Sequence, residues 1–584
     1  MSHILSEIGA IWTLLDRQTK RRFLQITAAM ASVNILDLLA IFLFATFAAG
    51  TFDLMQGKSG KTRLELFLSR FFSVDLEQMH FLTLVVIGMM LAFIIKSSTS
   101  ALLNRKILFF LANREIDFAS RVMNNYLKQN ADEFYSKSQE NMHYASGISV
   151  SRMFNGVLFP LSQILNDCFL LTLVLLALVY TSPLSSIIGA FFFGTVIFVI
   201  GRKVHESNME SSKLIVKNTL LTQESTRELY EGYREIVTKP YATFNESKFM
   251  VARTNLAFQQ ARLLWVQQIP RFSIEVLVIF SAAILGFLEF LLNDTRTALV
   301  KLSVFMVTVF RIIPSIQRIQ SSTLAINGGI VASQPALSTL KEMLGTGKET
   351  ELILTKKPLE RQEITSINLQ DVTYKFGTSD NFVFEGITCS VSACRFIGLL
   401  GESGVGKSTL IDCITGLRIP SRGAILFFNK AGEIFEPQVA LVPQKPFIAN
   451  TDLLTNIALE TKVSDSKRRE IEELFDFFFR KVSEEKSDAD LDLSTEISMN
   501  MNSLSGGQAQ RISIIRALIS NAELVILDES FAGISERMTK EIIAYLKQNY
   551  KQVTFLLVSH SFSILQQCDV IYNLEYKELT EVEI

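Results

Sequence analysis

The chain has 584 residues, of which 48% are hydrophobic, and its 57 Lys and Arg against 58 Asp and Glu give a formal net charge of -1. Such a balance gives no reason to expect nucleic-acid binding, and such a length predicts more than one domain. Most apolar residues lie before about residue 325, in long runs, whereas the remainder alternates charged and apolar residues as a water-soluble domain does. The five cysteines have neither disulfide nor metal-ligand spacing, which predicts reduced, structural residues.

Six apolar segments are long enough to cross a bilayer, which takes about 20 residues of helix. We predict membrane spans at residues 23–46, 81–103, 156–180, 184–204, 269–292 and 298–320. The basic cluster RQTKRR before the first span places the N-terminus in the cytoplasm by the positive-inside rule. Six spans then return the chain to the cytoplasm, so the second half lies there as well.

The segments between the spans differ in length and character. Residues 104–155 and 205–268 are long, polar and helix-patterned, and both fall on the cytoplasmic side. The external segment 59–74 places most of its apolar residues on one side of a helix. It predicts either an amphipathic helix on the outer membrane surface or a loop helix packed on the spans.

The pattern changes after the sixth span. Residues 321–365 include a polar stretch without a core pattern, and from Ile367 onward short apolar strands alternate with helices, which indicates a parallel α/β sheet. We therefore divide the chain into an all-α membrane domain at 1–325, a linker at 326–365 and an α/β domain at 366–584.

A phosphate-binding loop follows the predicted strand at 396–400 and precedes a helix, the context that this motif requires. Its residues are Gly401, Glu402, Ser403, Gly404, Val405, Gly406, Lys407, Ser408 and Thr409. Backbone N–H groups of such a loop close around the β-phosphate of ATP, and the lysine neutralises the β- and γ-oxygens. Ser408 is then expected to ligate Mg²⁺.

A second apolar strand, ELVILDES, ends in Asp528 and Glu529. Asp528 is suited to hold the Mg²⁺ shell, and Glu529 to polarise the water that attacks the γ-phosphate. Alone, a carboxylate pair after a strand is most often a pair of solvated loop residues. Because a phosphate-binding loop precedes it in this chain, we interpret the pair as part of a site for nucleotide hydrolysis.

The segment LSGGQAQRISIIRAL, residues 504–518, stands between these two motifs. With it, the second half of the chain resembles the ATP-binding cassette of ABC transporters. The resemblance implies a signature motif that includes Ser505, Gly506, Gly507 and Gln508. It further implies that Ser505 and Gly507 cap the γ-phosphate of ATP bound to the opposite subunit.

The same resemblance assigns roles to two residues in other segments. Gln444, in ALVPQKPF, matches the glutamine that senses Mg²⁺ and the membrane domain, and His560, in LLVSHSF, matches the histidine at the γ-phosphate. Together with Glu529 they form the catalytic set that the resemblance implies. Gln444 and Asp528 join Ser408 as the implied metal ligands.

Several positions depart from the family's pattern. Phe376 stands where an aromatic residue, normally tyrosine, stacks on adenine, with Tyr374 as the alternative if the register shifts by two. Ser535 replaces an aspartate, and Ser498 and Met499 replace a Gly-Glu pair before the signature. These changes concern communication between the two sites and the membrane domain. Every group needed for hydrolysis is present, so we predict an active ATPase.

Six spans followed by one cassette resemble an ABC exporter half-transporter, that is, an all-α six-helix transmembrane exporter domain followed by an α/β P-loop ATP-binding cassette. Such chains dimerise because each ATP site needs the signature motif of the partner subunit. One intact copy of every catalytic element makes a homodimer sufficient, and a heterodimer is the alternative. The resemblance also implies a multi-pass protein of the bacterial inner membrane with a cytoplasmic cassette, on which coupling helices near 137–149 and 221–233 dock.

Charged residues inside the predicted spans bear on the cargo. Arg311 lies about 13 residues into the sixth span, ~20 Å deep at about 1.5 Å per residue. Arg318 follows seven residues later on nearly the same helix face. The first, second and fifth spans carry Asp37, Lys96 and Arg271.

Two interpretations of these charges remain open. Either at least one of the four cations contacts an anionic substrate such as a phosphate, or the charges form internal ion pairs. In the second case Asp37 neutralises Arg311 or Lys96. Glu275 then pairs with Arg271, which lies one helical turn earlier in the same span.

The runs IPRFSIE and FRIIPSIQRI, with the amphipathic segment at 59–74, resemble those of bacterial lipid-linked oligosaccharide flippases. That resemblance implies an amphipathic, anionic substrate, an undecaprenyl-pyrophosphate glycan, and contact with membrane lipids. The alternative is an exporter of peptides, lipids or hydrophobic drugs, which the 45 phenylalanines favour through an aromatic-lined cavity. A third interpretation, ATP turnover that drives only conformational signalling, predicts cassettes that cycle without substrate stimulation.

Overall fold

The computed structural model describes residues 2–55, 78–181, 183–238, 243–292, 295–345, 362–377, 381–392, 396–483, 488, 491–497, 504–575 and 578–582. The chain divides into two compact units. The helical unit comprises Met1–Leu127 and Lys137–Glu351, and the α/β unit comprises Lys128–Ser136 and Leu352–Ile584.

Long helices dominate the first part of the chain. The α-helices described there are α1 (Ser2–Leu14), α2 (Arg17–Val33), α3 (Ile35–Met55), α4 (Gln78–Lys128), α5 (Ala131–Tyr135), α6 (Gln139–His143), α7 (Phe159–Thr181), α8 (Pro183–Glu231), α9 (Tyr233–Val237), α10 (Thr243–Leu292) and α11 (Thr295–Gly345). Two π-helical stretches, Tyr144–Ser149 and Arg152–Leu158, lie between α6 and α7. The short helix α5 belongs to the α/β unit.

The predicted spans coincide with these helices. All six lie in helical segments, in chain order α2 with α3, α4, α7 with the π-helical stretch before it, α8, α10 and α11. Within the described residues, four helical segments are long and apolar enough to cross a membrane: Arg17–Phe52, Met79–Lys128, Arg152–Ala177 and Lys301–Met343. The amphipathic segment predicted at 59–74 lies outside the described residues.

The linker predicted at 326–365 begins inside a helix, because α11 continues to Gly345. The residues that follow position 325 keep a buried face at helical spacing, namely Ile326, Ile330, Leu337 and Leu340. The two units divide between Glu351 and Leu352. The helical domain therefore extends beyond the predicted boundary, and the first described strand of the α/β unit starts at Ile364.

Helix α11 continues past residues that usually break helices, because it is closely packed there. A Cβ atom on Gly329 would lie 2.6 Å from the carbonyl oxygen of Gly156, so the two backbones meet there. Pro335 lies inside the helix, and the N–H of the next residue, Ala336, donates to Ser149 Oγ at 3.0 Å. Contacts with the π-helical stretches thus offset the helix-breaking tendency of glycine and proline.

Two sheets form the frame of the α/β unit. Its strands are β1 (Ile364–Lys375), β2 (Phe382–Ser392), β3 (Phe396–Leu400), β4 (Arg422–Asn429), β5 (Ile434–Phe435), β6 (Val439–Val442), β7 (Leu524–Asp528), β8 (Thr554–Val558), β9 (Val570–Glu575) and β10 (Glu578–Val582). The larger sheet has the order β10-β9-β3-β8-β7-β6 and is parallel except for β10. The smaller sheet, β2-β1-β4-β5, is antiparallel.

Helices and sheets of this unit enclose two apolar cores. The helices are α12 (Lys407–Ile414), α13 (Leu453–Ala458), α14 (Asp465–Asp476), α15 (Gly506–Leu518), α16 (Glu536–Asn549) and α17 (Phe562–Leu565), with a π-helical stretch at Phe477–Lys481. One core includes the fully buried Ile512, Leu527 and Phe555, and the other includes Val372 and Phe384. Because β3, β8 and β7 are neighbours in a parallel sheet, the segments after their carboxyl ends meet at one edge, where α/β proteins bind ligands.

Candidate nucleotide-binding site and membrane charge cluster

The phosphate-binding loop leaves the end of β3 and enters α12 at Lys407. Gly404 and Gly406 have φ values of 83° and 110°, a region that strains any residue with a Cβ. A Cβ at Gly406 would also lie 2.7 Å from Val383 Cγ1. Glycine is therefore required, and the loop ends at a helix N-terminus, where backbone N–H groups and the helix dipole favour a phosphate.

Lys407 is held over this loop. Only 7% of the residue is exposed, and its Nζ donates to the carbonyl oxygens of Gly401 at 2.6 Å and Glu402 at 2.9 Å. Burial lowers the pKa of Lys407, while the charges of Glu529 and Asp528 act to raise it. The ammonium group is thus placed to neutralise oxygens of a phosphate bound in the loop.

Acidic groups gather beside the loop. Burial raises the pKa of Asp528, at the end of β7, and the charge of Glu529 raises it further. Burial and the charge of Asp528 also raise the pKa of Asp412 on α12. A divalent cation would relieve this repulsion, and Ser408 and Gln444 join Asp528 as oxygen donors of the kind that Mg²⁺ prefers. Among the described residues no cluster of three His, Cys, Asp or Glu side chains could hold a metal alone, so the phosphates of a nucleotide would complete its shell.

The three residues predicted as catalytic meet at one carboxylate. Gln444 Nε2 donates to Glu529 Oε2 at 2.5 Å, and His560 Nε2 lies 2.7 Å from Glu529 Oε1. Glu529 has a φ of 47°, a conformation that costs a non-glycine residue on the order of 1–3 kcal/mol and clusters at active sites. Its N–H donates to the carbonyl oxygen of Val558 at 3.0 Å, which anchors the turn to β8.

The signature motif starts α15. Ser505 is the N-cap: its Oγ accepts from the Gln508 N–H at 3.1 Å, and Gln508 Oε1 accepts from the Ser505 N–H at 2.7 Å. This reciprocal capping box fixes the first turn, to which Gly506 and Gly507 belong. The motif therefore lies at the partly positive end of a helix, as a phosphate-capping element requires.

A buried ion pair contacts the first turn of the helix that carries the signature motif. Arg511 Nη1 donates to Asp488 Oδ2 at 2.5 Å, and Gln508 Nε2 donates to Asp488 Oδ1 at 2.8 Å. Arg511 is 0% exposed and its guanidinium lies 4.5 Å from the centre of the Phe479 ring. Sequence reasoning missed Asp488 and Arg511 because each is remote in sequence from its partner and Asp488 belongs to no local motif.

The structure describes two of the positions that depart from the family's pattern. Ser535 is the N-cap of α16 and its Oγ accepts from the Met538 N–H at 3.4 Å, a role that aspartate performs equally well. Phe376 is 48% exposed, whereas Tyr374 is 1% exposed, so Phe376 is the aromatic ring available to an adenine. Ser498 and Met499 lie outside the described residues.

Carboxylates of the helical unit pair with the cations inside the predicted spans. Asp37 contacts Arg311 and lies 3.4 Å from Lys96 Nζ. Arg318 donates to Asp167 through Nε at 2.8 Å and Nη2 at 2.7 Å. We call Asp37, Lys96, Asp167, Arg311 and Arg318 the membrane charge cluster. It contains three cations against two carboxylates, one positive charge in excess.

Asp167 and Arg271 differ in their surroundings. Asp167, which sequence reasoning did not single out, is fully buried and receives a weak hydrogen bond from Asn166 at 3.4 Å. Arg271 lies apart from the cluster and pairs with Glu275 at 3.3 Å, both side chains being more than half exposed. The ion pairs proposed for Asp37 and for Glu275 are thus present, and the excess charge resides with Lys96, Arg311 and Arg318.

The α/β unit includes part of the long segment between the second and third predicted spans. Residues 128–136, with α5, pack in this unit, immediately before the coupling helix predicted at 137–149. Ala131 N–H donates to the carbonyl oxygen of Leu417 at 2.8 Å. The second predicted coupling segment, 221–233, lies at the end of α8 and the start of α9 in the helical unit.

Comparison with known proteins places these features in a family context. The family model of ABC transporters matches residues 384–532, which include the phosphate-binding loop, the signature motif, Asp528 and Glu529. The heterocyst differentiation ATP-binding protein HepA of Nostoc sp. is 27% identical over 444 residues, 74% of this chain and 69% of that protein. An ATP-dependent lipid A-core flippase of Aliivibrio fischeri is 29% identical over 321 residues, 54% of this chain and 52% of that protein. The chain thus spans about half the length of that flippase.

A solved structure shares the fold over nearly the whole length. The structure of a bacterial Atm1-family ABC exporter with ATP bound has a TM-score of 0.74 and 15% identity, covering 97% of this chain and 94% of that one. A helical transmembrane domain followed by an α/β nucleotide-binding domain defines the ABC exporters, a class that couples ATP hydrolysis to transport. Residues 384–532 are thus an ABC transporter domain, and the chain has the fold of an ABC exporter, with one helical domain that includes candidate membrane spans followed by one α/β domain.

Proposed function

We propose that the protein is an ATP-driven flippase or exporter of an amphipathic anionic substrate, a lipid-linked pyrophosphate oligosaccharide, in the bacterial inner membrane. The observation that carries this proposal is the excess positive charge of the membrane charge cluster. Among the described residues the cluster keeps one positive charge in excess, and a net charge among membrane helices is costly and usually marks a substrate or ion pathway. An anion is the ligand that removes that cost.

The geometry of the cluster favours a phosphate. Arg311 contacts Asp37 through Nη2, and 27% of its side chain is exposed. Arg318 keeps 48% of its side chain exposed although it forms an ion pair with Asp167. Each guanidinium thus retains donors for a further acceptor, and the fork of such donors matches the oxygens of a phosphate or pyrophosphate.

The hydrolysis step rests on the residues that meet at Glu529. Its carboxylate would accept a proton from the attacking water, while Gln444 and His560 hold its two oxygens in place. Lys407 would neutralise phosphate oxygens from the loop side. When bound with ATP, Mg²⁺ would add charge neutralisation, held by Ser408, Gln444 and Asp528.

We further propose a homodimer with the cassettes in the cytoplasm. Ser505 and Gly507 would complete the ATP site of a second copy, because one chain carries a single set of each element. The test uses Lys407→Ala and Ser505→Arg, which should each inactivate a homodimer. A mixture should regain about one quarter of wild-type activity, since half of randomly formed dimers contain one intact site of two. Full silence of the mixture, with mixed dimers demonstrated by pull-down, would contradict the shared site.

The substrate is tested by ATPase activity in nanodiscs, with and without a polyprenyl-pyrophosphate glycan. We expect stimulation of the wild type, loss of that stimulation with retained basal activity in Arg311→Ala, and silence in Glu529→Gln. Arg262→Ala is the matched control: Arg262 also lies in a long helix and faces a carboxylate, Glu210 at 3.9 Å, but it is outside the predicted spans. Stimulation by peptides or hydrophobic drugs and not by the glycolipid would contradict the proposed substrate class.

A further inference from the structure

A network of four polar side chains joins the segment 128–136 to the rest of the α/β unit. The Tyr374 hydroxyl lies 2.7 Å and 2.6 Å from the two carboxylate oxygens of Asp132 in α5. Arg418 contacts the same carboxylate through Nη1, which also donates to the Tyr374 hydroxyl at 2.9 Å. Arg418 Nε donates to Asp412 Oδ2 at 2.8 Å. Arg418 is therefore clamped between two carboxylates.

This network reaches the nucleotide side of the unit at two points. The Arg418 guanidinium lies 5.1 Å from the centre of the Phe376 ring, and Tyr374 meets that ring edge-on with centres 5.3 Å apart. Asp412 stands on α12, the helix that the phosphate-binding loop begins. One side chain, Arg418, thus touches the base-stacking candidate, the phosphate-loop helix and α5.

Burial makes the network sensitive to each of its members. Only 12% of the Arg418 side chain is exposed, against 39% for Asp132 and 24% for Asp412, and burial lowers the pKa of Arg418. A buried guanidinium that loses one carboxylate keeps its charge, so its position then depends more strongly on the carboxylate that remains. Loss of Asp132 would therefore leave Asp412 as the one carboxylate partner of Arg418 among the described residues and shift the guanidinium relative to the Phe376 ring.

We propose that Arg418 is a positioning residue that holds the Phe376 ring for stacking on the nucleotide base, and that Asp132 fixes the position of the Arg418 guanidinium. The affinity for ATP then depends on how α5 sits against Tyr374 and Arg418. By linkage, bound nucleotide stabilises the docked position of α5 to the same extent. This inference rests on the proposed role of Phe376 in base binding.

The test measures KM and kcat of ATP hydrolysis by the full chain in nanodiscs. Asp132→Asn should raise the KM for ATP about fivefold, the size of a typical coupling between sites, with kcat changed less than twofold. Glu133→Gln is the matched control, since it removes the neighbouring exposed carboxylate of the same helix and should leave KM unchanged. Arg418→Gln should raise KM as Asp132→Asn does, and the double variant should show less than the product of the two effects.

Repeating the measurement in a Phe376→Ala background separates the role of Asp132 and Arg418 from the role of Phe376 in base binding. Phe376→Ala should raise the KM for ATP by itself, and Asp132→Asn should then add no further increase. An unchanged KM in Phe376→Ala would overturn the role of Phe376, which belongs to the proposed function. An increase in Phe376→Ala together with an equal, independent effect of Asp132→Asn in both backgrounds would overturn the positioning role of Arg418 alone.

Discussion

Asp167 accepts two hydrogen bonds from Arg318, yet the two partners differ sharply in burial. The carboxylate is 0% exposed, whereas 48% of the Arg318 side chain is exposed. Asp167 lies on α7 and Arg318 on α11, so the pair also ties two predicted spans together. A charge that remains buried after its partner is removed costs more than one that solvent can reach. Deleting one partner is therefore not equivalent to deleting the other.

Arg318→Ala should lower the thermal unfolding midpoint more than Asp167→Asn does. The first variant leaves an unpaired and fully buried carboxylate, at a cost of about 3 kcal/mol, whereas the second leaves a guanidinium whose side chain is half exposed, which costs less. Arg318 Nη2 also retains Ser315 Oγ at 3.0 Å as an acceptor. The double variant should recover most of the loss. Equal shifts of the midpoint in the two single variants, measured in nanodiscs, would contradict this asymmetry.

Local motifs made the nucleotide site predictable, whereas distant pairs remained hidden. The phosphate-binding loop and signature motif are each carried by neighbouring residues, and a parallel sheet brings Glu529 and His560 to one edge. The partner of Arg318 is 151 positions away, and a lone aspartate in an apolar span gives no sign of what it contacts.

The length of helix α11 was underestimated for a related reason. The linker prediction rests on the polar stretch at 345–363, and the two adjacent glycines and the proline before it give no local sign that the helix continues. Gly329 is instead the residue that lets α11 approach Gly156. A contact between backbones so far apart in sequence decides the outcome, and tertiary packing overrides the local preference.

Gly329→Ala should destabilise the helical unit. The new Cβ would lie 2.6 Å from the Gly156 carbonyl oxygen, and backbone atoms give way less readily than side chains, so we expect a loss of about 1–3 kcal/mol. Gly147→Ala serves as the control, because a Cβ there meets nothing within 4 Å. Thermal unfolding of the two variants in the same nanodiscs checks the difference, and equal midpoints would argue against close packing at Gly329.

Ser535→Asp should be tolerated, and Ser535→Ala should not. The hydroxyl caps α16 by accepting from the Met538 N–H, and aspartate is an equally good N-cap, whereas alanine loses about 1 kcal/mol. The measurement is the unfolding midpoint together with basal ATPase activity. A stable but inactive Ser535→Asp protein would show that the serine has a catalytic role beyond capping.

Glu529→Gln should reduce ATP hydrolysis by on the order of 10²–10⁴-fold while leaving ATP binding intact, because the amide cannot accept the proton of the attacking water. Glu536→Gln, which removes a carboxylate paired with Lys540 on the surface of α16, is the control and should hydrolyse ATP normally. Hydrolysis rates and nucleotide binding are measured on the same preparations. Substantial residual turnover in Glu529→Gln would move the general base to another residue.

Stability at alkaline pH should depend on two buried thiols. Burial raises the pKa of Cys413 and Cys568 from 9.0 to about 12. Below pH 9 both thiols are protonated in the folded and unfolded states, so they add no pH dependence. Between pH 9 and pH 12 the unfolded chain releases protons that the folded chain retains, and the free energy of unfolding falls as pH rises.

The double variant Cys413→Ala/Cys568→Ala isolates this effect from other groups that titrate in the same range. Its unfolding midpoint should decline less than that of the wild type between pH 8 and pH 10.5, even if its midpoint at pH 8 is lower because of the smaller side chains. In the native wild type both thiols should also resist maleimide at pH 8, since the thiolate is the reactive form. Parallel declines of wild type and variant with pH would mean that the two thiols titrate alike in both states.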